Sequence, residues 1–398
     1  MNKKIIRALV AVTLSASTLI QVAPTAQANT VPAIAILDTA LNSSLPIFKD
    51  KVVHEVCIME WNSCPNGKSF MEGPGSAQLP VDIMSAGGFD HGTQMASVSV
   101  TINPNIKIVF IRIIGNVPGT SQRQDAGFNT VSKALEWVNL NAEKFNIKSV
   151  AMAQANYSLV ANPQINYCPS DNSVTPSIKN LLLKQVPVFF AAGNNRDYKR
   201  IAWPSCIAES VSVSMSDQYG ELSNFSNYDA NLLDFYALGA MPITNPNGSV
   251  KNGSGSSISA IVAGTVWAGA VLNNPKSNYN EIMQSIVCNS KFTKGARGQQ
   301  GNVMPTSPIR VGTCQGTGTS APVVTPVKPV TPVTPVTPVV PAGPTKQQLL
   351  DSINKSFNDE IIRIEKEHQL ALINLNESKS KLILDTKAKY TKMVSDLG

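Results

Sequence analysis

The feature that most constrains the fold is a series of short segments that are apolar on both faces. They are rich in β-branched residues and occupy residues 34–37, 106–114, 149–153, 186–191 and 211–214. Strands buried on both faces are typical of parallel sheets that helices cover. Between and after them, apolar residues at helical spacing predict helices over 127–145, 177–183 and 257–272. This alternation predicts a layered α/β fold with a mainly parallel sheet.

The N-terminus has the pattern of a secretory signal. Lys3, Lys4 and Arg7 precede an apolar stretch, and a small-x-small motif follows at 26–28. We therefore predict that residues 1–28 form a signal peptide, that the protein is secreted or associated with the cell surface, and that no membrane span remains after cleavage. Loss of these three basic residues lowers the net charge from +7 to +4. So small an excess, without a basic-aromatic patch, predicts no nucleic-acid partner.

The composition changes abruptly near residue 315. Residues 315–344 are dominated by Thr, Pro and Val, which predicts an extended linker. Residues 345–398 contain no proline and only a terminal glycine, and their apolar residues follow a partial heptad pattern. This pattern predicts a long C-terminal helix able to form a coiled coil. Because such a helix cannot bury its apolar stripe alone, we expect self-association or a protein partner through 345–398, with packing on the preceding domain of the same chain as the alternative.

Six cysteines lie within residues 29–314, between the predicted signal peptide and the linker. An even number in a secreted chain favours disulfides, although six cysteines permit fifteen pairings. Proximity in the sequence suggests Cys57–Cys64 and Cys288–Cys314, which would leave Cys168–Cys206, but the pairing stays open. The absence of a Cys-x-x-Cys motif and of clustered histidines predicts no metal site, and we expect no other cofactor.

Three separate segments carry groups suited to acyl transfer. Asp38 ends a buried strand, His91 stands before Gly-Thr at a predicted helix start, and residues 255–260 place small hydroxyl residues before an apolar helix. A serine hydroxyl becomes a good nucleophile when a base takes its proton, and imidazole titrates in the right range. His54 is predicted at an exposed strand position and His368 in the charged tail, so His91 is the candidate base.

These segments resemble the subtilisin-like (subtilase) serine peptidases. The order Asp, His, Ser is that of subtilisin, and the resemblance covers roughly residues 31–310. It implies a subtilisin-like three-layer α/β fold in which Asp38 orients His91 and His91 takes the proton of a serine. Residues 188–194 resemble the family's strand that ends in Ala-Gly-Asn. The resemblance implies that Asn194, with the serine's own amide, stabilises the oxyanion.

Two adjacent serines compete for the family's Gly-Thr-Ser motif. Matching residues 255–257 to it makes Ser257 the nucleophile but leaves the chain one residue short before the Val-Ala-Gly at 262–264. An ungapped match makes Ser256 the nucleophile and loses the glycine two positions before it. We predict Ser257, because that glycine permits close approach of the substrate backbone, and keep Ser256 as the alternative.

The resemblance also indicates a substrate cleft. Asn156, Ser158 and Leu159 resemble the family's Asn-x-Ser-Leu-Gly strand, with Val160 in place of the usual glycine, and Trp203 resembles an aromatic residue on the opposite wall. The implied substrates are proteins or peptides that bind as an added strand. The short stretch between residue 29 and the first strand leaves no room for the pro-domain or calcium-binding segment of many secreted relatives, so we expect no strong calcium dependence.

The sequence thus predicts a secreted serine endopeptidase that acts through a Ser-His-Asp acyl-enzyme mechanism. The first alternative is a catalytically inactive subtilase-like module for binding or surface assembly, with a coiled-coil tail. A second alternative is a structural coiled-coil protein with an incidental domain, which would leave the three catalytic motifs as coincidence.

Overall fold

The computed structural model describes residues 31–86, 88–118, 120–155, 168, 173–306 and 309–312. The predicted signal peptide, linker and C-terminal helix lie outside these residues, and so does Cys314. The strands are β1 (Ala33–Asp38), β2 (Val52–Ile58), β3 (Phe70–Glu72), β4 (Lys107–Arg112), β5 (Gly115–Asn116), β6 (Arg123–Gln124), β7 (Ile147–Met152), β8 (Val188–Ala191), β9 (Val211–Ser216), β10 (Phe235–Leu238), β11 (Ala240–Thr244), β12 (Val250–Ser254), β13 (Lys291–Lys294) and β14 (Gln300–Val303). The helices are α1 (Val81–Ala86), α2 (His91–Ile102), α3 (Phe128–Asn141), α4 (Val174–Leu183), α5 (Ser256–Asn273) and α6 (Tyr279–Asn289).

Ten strands form one sheet in the order β13-β14-β10-β9-β8-β7-β1-β4-β2-β3. All neighbours from β14 to β2 pair in parallel, and only the outermost strands β3 and β13 pair antiparallel. The strands at the centre are buried along their whole length, as the runs of apolar residues on both faces require. The predicted mainly parallel sheet is confirmed.

Helices cover both faces of this sheet. Helices α3 and α4 pack with Val109, Val150 and Phe190 on one face. Helices α2, α5 and α6 enclose the residues that alternate with these, such as Phe110 and Phe189, on the other. Because side chains alternate along a strand, both faces of the central strands contribute to a hydrophobic core. The result is the predicted α/β architecture of three layers.

Helix α5 is the central helix of its layer. It is long and apolar enough to span a membrane, but 78 % of it is buried inside the protein. Its Gly264 lies against β1, where an added Cβ would stand 2.9 Å from the Cδ1 of Ile34. This close packing fixes the middle of α5, whose first turn carries the two candidate serines, against the centre of the sheet.

Two of the suggested disulfides are present. Cys57–Cys64 closes a short loop after β2, and Cys168–Cys206 joins segments that are 38 residues apart in sequence. The Cα atoms are 5.8 Å apart in both, within the usual range. The suggested Cys288–Cys314 bond includes a residue outside the described part of the chain.

The sheet order brings three chain segments to one edge. Strands β8, β7 and β1 are neighbours and run parallel, so their carboxyl ends lie side by side. Asp38 is the last residue of β1, Gln154 follows β7 by two residues, and Asn194 follows β8 by three. In open α/β sheets, ligands bind outside the carboxyl ends of the strands.

Candidate active site

Asp38 is fully buried at the end of β1. A buried carboxylate is costly unless donors surround it. The backbone N–H of Thr39 donates to its Oδ1 at 2.7 Å, and the Nδ1 of His91 lies 2.8 Å from Oδ1 and 3.0 Å from Oδ2. The carboxylate therefore lies against the imidazole edge, as an orienting acid should.

The loop before α2 is locked to the end of β1 by one threonine. The Oγ1 of Thr39 donates to the carbonyl of Phe89 at 2.9 Å and accepts the N–H of Gly92 at 2.7 Å. A Cβ at Gly92 would lie 2.6 Å from the carbonyl oxygen of Ala40, so this position requires the close approach that only glycine permits. Both contacts hold His91, the first residue of α2, beside Asp38.

The protonation of His91 reflects two opposing effects. Burial favours the neutral ring and lowers its pKa, but the charge of Asp38 and its hydrogen bond favour the imidazolium more strongly. Their sum raises the pKa of His91 above its usual 6.5. The side chain remains 26 % exposed, so it is open to the cleft described below.

Asn194 lies beside the start of α5. The N–H of Ser256 donates to the Asn194 Oδ1 at 2.9 Å, and the N–H of Gly193 donates to the Ser256 Oγ at 3.1 Å. A Cβ at Gly255 would stand 3.2 Å from the Asn194 Nδ2, so the glycine before the serines admits this side chain. The amide group of Asn194 is thus held next to the N-terminus of α5, whose dipole favours negative charge.

The two serine hydroxyls have different partners. The Ser257 Oγ donates to the carbonyl of Ala153 at 2.8 Å, just after β7. The Ser256 Oγ accepts from Gly193, and its own proton has no acceptor among the described residues. Within that part of the chain, neither hydroxyl is hydrogen-bonded to His91. Such bonds are often long in unliganded enzymes and shorten when substrate binds.

One cleft of about 470 Å³ joins these groups. Its wall includes His91, Asn194, Ser256 and Ser257, together with Gln154 and Arg123. The base, both candidate nucleophiles and the amide of Asn194 therefore face the same space.

A model of the subtilase family matches residues 30–305, more than half of the chain. The chain belongs to the subtilase family. This membership supports serine peptidase activity in general and protein or peptide substrates, and it suits an extracellular, disulfide-bonded protein.

Solved structures of subtilases show the same fold at low sequence identity. A cold adapted subtilisin-like serine proteinase is 17 % identical with a TM-score of 0.51, and the match covers 69 % of this chain and 89 % of that one. A mutant of the protease domain of PatA is 15 % identical with a TM-score of 0.53, over 71 % of this chain and 95 % of that one. These likenesses confirm the subtilisin-like fold. No curated protein matches the chain significantly.

The predicted substrate-binding residues of this subtilase have a mixed outcome. Asn156, Ser158, Leu159 and Val160 lie outside the described residues. Trp203 does not line the cleft: it is 2 % exposed, and its ring packs edge-to-face on Phe128 with the centroids 4.6 Å apart. The aromatic residue before a proline is part of the core here, because α3 covers it.

Sequence reasoning missed two polar residues at the site. Gln154 and Arg123 both line the cleft, and the Gln154 Nε2 lies 3.0 Å from the Asp38 Oδ1. Gln154 could have been found from its place just beyond a buried strand next to β1. Arg123 belongs to the short hairpin of β5 and β6, and no pattern in the sequence connects that hairpin with Asp38.

Proposed function

We propose that this subtilase is a secreted serine endopeptidase that cleaves peptide bonds through a Ser-His-Asp acyl-enzyme mechanism. The observation that carries the proposal is the buried Asp38 bonded to the Nδ1 of His91, in the cleft that also receives two serines at a helix N-terminus. This arrangement leaves the Nε2 of His91 as the atom able to take a proton from a serine.

The proposed reaction begins when His91 accepts the serine proton and the oxygen attacks the carbonyl carbon of the scissile bond. Asp38 remains ionised and stabilises the imidazolium. The Asn194 Nδ2, held in place through its Oδ1, donates to the oxyanion beside the amides at the start of α5. The imidazolium then returns the proton to the leaving amine. Water, activated by His91, hydrolyses the ester in the second half-reaction.

For the nucleophile we propose Ser257, as the sequence predicts, with Ser256 as the alternative. Ser257 is partly exposed in the cleft, whereas Ser256 is 1 % exposed. The Ser256 N–H already donates to the Asn194 Oδ1, so it is not free to stabilise an oxyanion. The amide of Ser257, in the first turn of α5, has no partner within the helix and can act together with Asn194. The Ser257 hydroxyl turns from the carbonyl of Ala153 toward His91 when it reacts.

Labelling with a fluorophosphonate tests both the activity and the assignment. We expect the full-length wild-type chain to be labelled and to digest casein, the Ser257→Ala variant to lose both, and the Ser256→Ala variant to keep labelling. Peptide mapping would locate the adduct. Loss of labelling in Ser256→Ala alone would make Ser256 the nucleophile.

One observation favours an inactive binding or surface-assembly module instead: neither serine hydroxyl bonds to His91 among the described residues. If the folded wild-type chain takes up no fluorophosphonate and digests no casein, this second function replaces the first. A peptidase and a binding module would both bind a protein in this cleft, but only the peptidase would react with the fluorophosphonate. The labelling result therefore distinguishes them.

We further propose the domain boundaries that the sequence indicates. These are a signal peptide at 1–28, a peptidase domain at 29–314, a linker at 315–344 and a helical tail at 345–398 that self-associates or binds a partner. The signal pattern and the two disulfides support secretion. Sedimentation of the full-length chain and of a chain ended at residue 344 tests the tail. If both chains sediment as monomers, self-association is contradicted.

A further inference from the structure

A chain of polar contacts connects the cleft wall to Asp38. The Nη2 of Arg123 donates to the Gln154 Oε1 at 2.7 Å, and the Gln154 Nε2 donates to the Asp38 Oδ1 at 3.0 Å. The same Nε2 lies 2.8 Å from the Nδ1 of His91. One glutamine therefore contacts both members of the acid–base pair.

Arg123 determines which way the glutamine amide faces. A guanidinium offers only donors, so it selects the amide oxygen and directs the NH₂ group toward Asp38. Arg123 is itself held by an ion pair with Asp125 and by the carbonyl of Gly88. Its side chain is 32 % exposed, so it anchors Gln154 from the rim of the cleft.

We propose that Gln154, oriented by Arg123, is a positioning residue that fixes the Asp38 carboxylate and reduces the stabilisation that Asp38 gives to the His91 imidazolium. The inference rests on the proposed peptidase function. Gln154 touches neither the serines nor the scissile bond in that mechanism and acts through Asp38.

Two effects of Gln154 both make the protonated ring of His91 less stable. The Gln154 N–H takes up part of the negative charge of Asp38 that would otherwise stabilise the imidazolium. Its NH₂ group also lies 2.8 Å from the Nδ1 of His91, and the positive end of this dipole disfavours the added positive charge of the imidazolium. Both effects make His91 release its proton more readily than Asp38 alone would allow.

The charges around the imidazole come from several elements. Asp38 of β1 and Asp90, just before α2, raise the pKa of His91, whereas Arg123 of β6 lowers it. Lys251 of β12 lines the same cleft and pairs with Asp90 at 3.7 Å. Arg123 is thus the positive group that both contacts Gln154 and acts on the base.

The test compares Gln154→Met, which keeps the length of the side chain and removes its hydrogen bonds, with Gln124→Met as a matched control. Gln124 follows Arg123 in β6 and makes no hydrogen bond to Asp38 or His91. For Gln154→Met we expect kcat/KM on a peptide substrate to fall about tenfold at its alkaline plateau. We also expect the midpoint of the acid limb, the low-pH side of the kcat/KM profile, to rise by about half a pH unit or more. Gln124→Met should change neither. A merely structural role would lower the plateau without moving the limb.

Arg123→Met and Arg123→Lys separate the orienting effect of Arg123 on the Gln154 amide from the effect of its charge on His91. Arg123→Met removes both and should move the acid limb upward. Arg123→Lys keeps the charge but not the fork that faces the amide oxygen, so a smaller upward shift is expected. If Gln154→Met fails to fold, as judged by circular dichroism, the two exposed Arg123 variants carry the test, and an unmoved limb in both overturns the proposal.

Nuclear magnetic resonance gives a readout that does not need activity. The chain has only three histidines, so the His91 ring signals can be assigned from a His91→Gln spectrum. An upward shift of the His91 pKa in Gln154→Met supports the proposal, and an unchanged pKa overturns it, whether or not the enzyme cleaves peptides. An inert wild type with a shifted pKa would instead contradict the proposed function and leave the positioning role standing.

Discussion

The acid–base half of the candidate site, Asp38 and His91, is joined by direct bonds between side chains, whereas each hydrogen bond that holds the nucleophile half includes a backbone group. Asp38 has donors on both oxygens and no exposure. In the nucleophile half, the Gly193 N–H donates to the Ser256 Oγ, the Ser256 N–H donates to the Asn194 Oδ1, and the Ser257 Oγ donates to the carbonyl of Ala153. The two halves face one cleft, but no hydrogen bond joins them among the described residues.

The difference follows from where each half lies in the fold. Asp38 and the loop before His91 are tied to the central strand β1 through Thr39, so their geometry is fixed without substrate. The serine half lies at the N-terminus of a helix, where free amides are available for a developing negative charge. The base is thus preorganised, and we expect substrate binding to complete its bond to the nucleophile.

We expect the largest loss of kcat when the hydrogen bond between Asp38 and His91 is disrupted. Asp38→Asn leaves an amide whose NH₂ group would favour the wrong tautomer of His91, so we expect kcat to fall by about 10⁴. Thr39→Val serves as a comparison, because it removes the lock on the loop but not the carboxylate. Rates of peptide cleavage and circular dichroism check this. A loss below about tenfold in a folded Asp38→Asn protein would show that the pair is structural.

The nucleophile half should be less sensitive at its amide donor. Asn194→Ala removes the proposed oxyanion contact, and loss of one such donor typically costs about 10²–10³ in kcat. Substrate KM should change little, because the interaction strengthens only in the transition state. Asn195→Ala is the matched control, since Asn195 lies next in the chain and its side-chain Oδ1 accepts from the Asn227 Nδ2. Equal losses in both variants would argue against a specific role for Asn194.

The pH dependence of the wild type tests the coupling between the halves. His91 must be neutral to accept the serine proton, so kcat/KM should fall about tenfold per pH unit below its pKa. Burial, the largest single effect, lowers that pKa, but the charge of Asp38, its hydrogen bond and the charge of Asp90 together raise it more, so the midpoint of the acid limb should lie above 6.5. A midpoint at or below 6.5 would contradict it.

The contribution of His91 to the free energy of unfolding should fall as the pH rises, whereas the activity should increase. A raised folded-state pKa means that the fold favours the imidazolium, so this contribution is present below the unfolded pKa of about 6.5 and is lost as the pH rises through the folded value. Melting temperatures of wild type and His91→Gln, measured across this window, should converge at high pH while activity rises.

The base half was largely predictable from the sequence, because its signals are local. An apolar run ending in Asp38 predicts a buried strand with an acid at its carboxyl end, and β1 ends at that residue. His91 before Gly-Thr predicts a helix start, and α2 begins there. Each prediction needed only a few neighbouring residues.

The rest depended on contacts between distant segments. Gln154 gains its role only because β7 lies beside β1 and a hairpin brings Arg123 to the same edge. Trp203 was predicted on the cleft wall, yet it is covered by Phe128 of α3. The choice between Ser256 and Ser257 also depends on where the first turn of α5 meets β7 and β8, which spacing along the chain does not define.

The smallest effect we expect concerns how tightly the base half is packed. In Gly92→Ala the new Cβ would lie 2.6 Å from the carbonyl oxygen of Ala40 and 2.8 Å from the Cζ of Phe110, so backbone or core must shift. We expect a loss of about 1–3 kcal/mol in the free energy of unfolding, or roughly 2–4 °C in Tm for each kcal/mol.

Gly127→Ala is the control, because its nearest atom would stand at 3.5 Å, an ordinary contact. Thermal unfolding of both variants gives the comparison, and equal melting temperatures would mean that the loop before α2 can relax. In that case the fixed geometry of His91 would depend on Asp38 alone, and the contrast between a preorganised base and a substrate-completed nucleophile would be weaker.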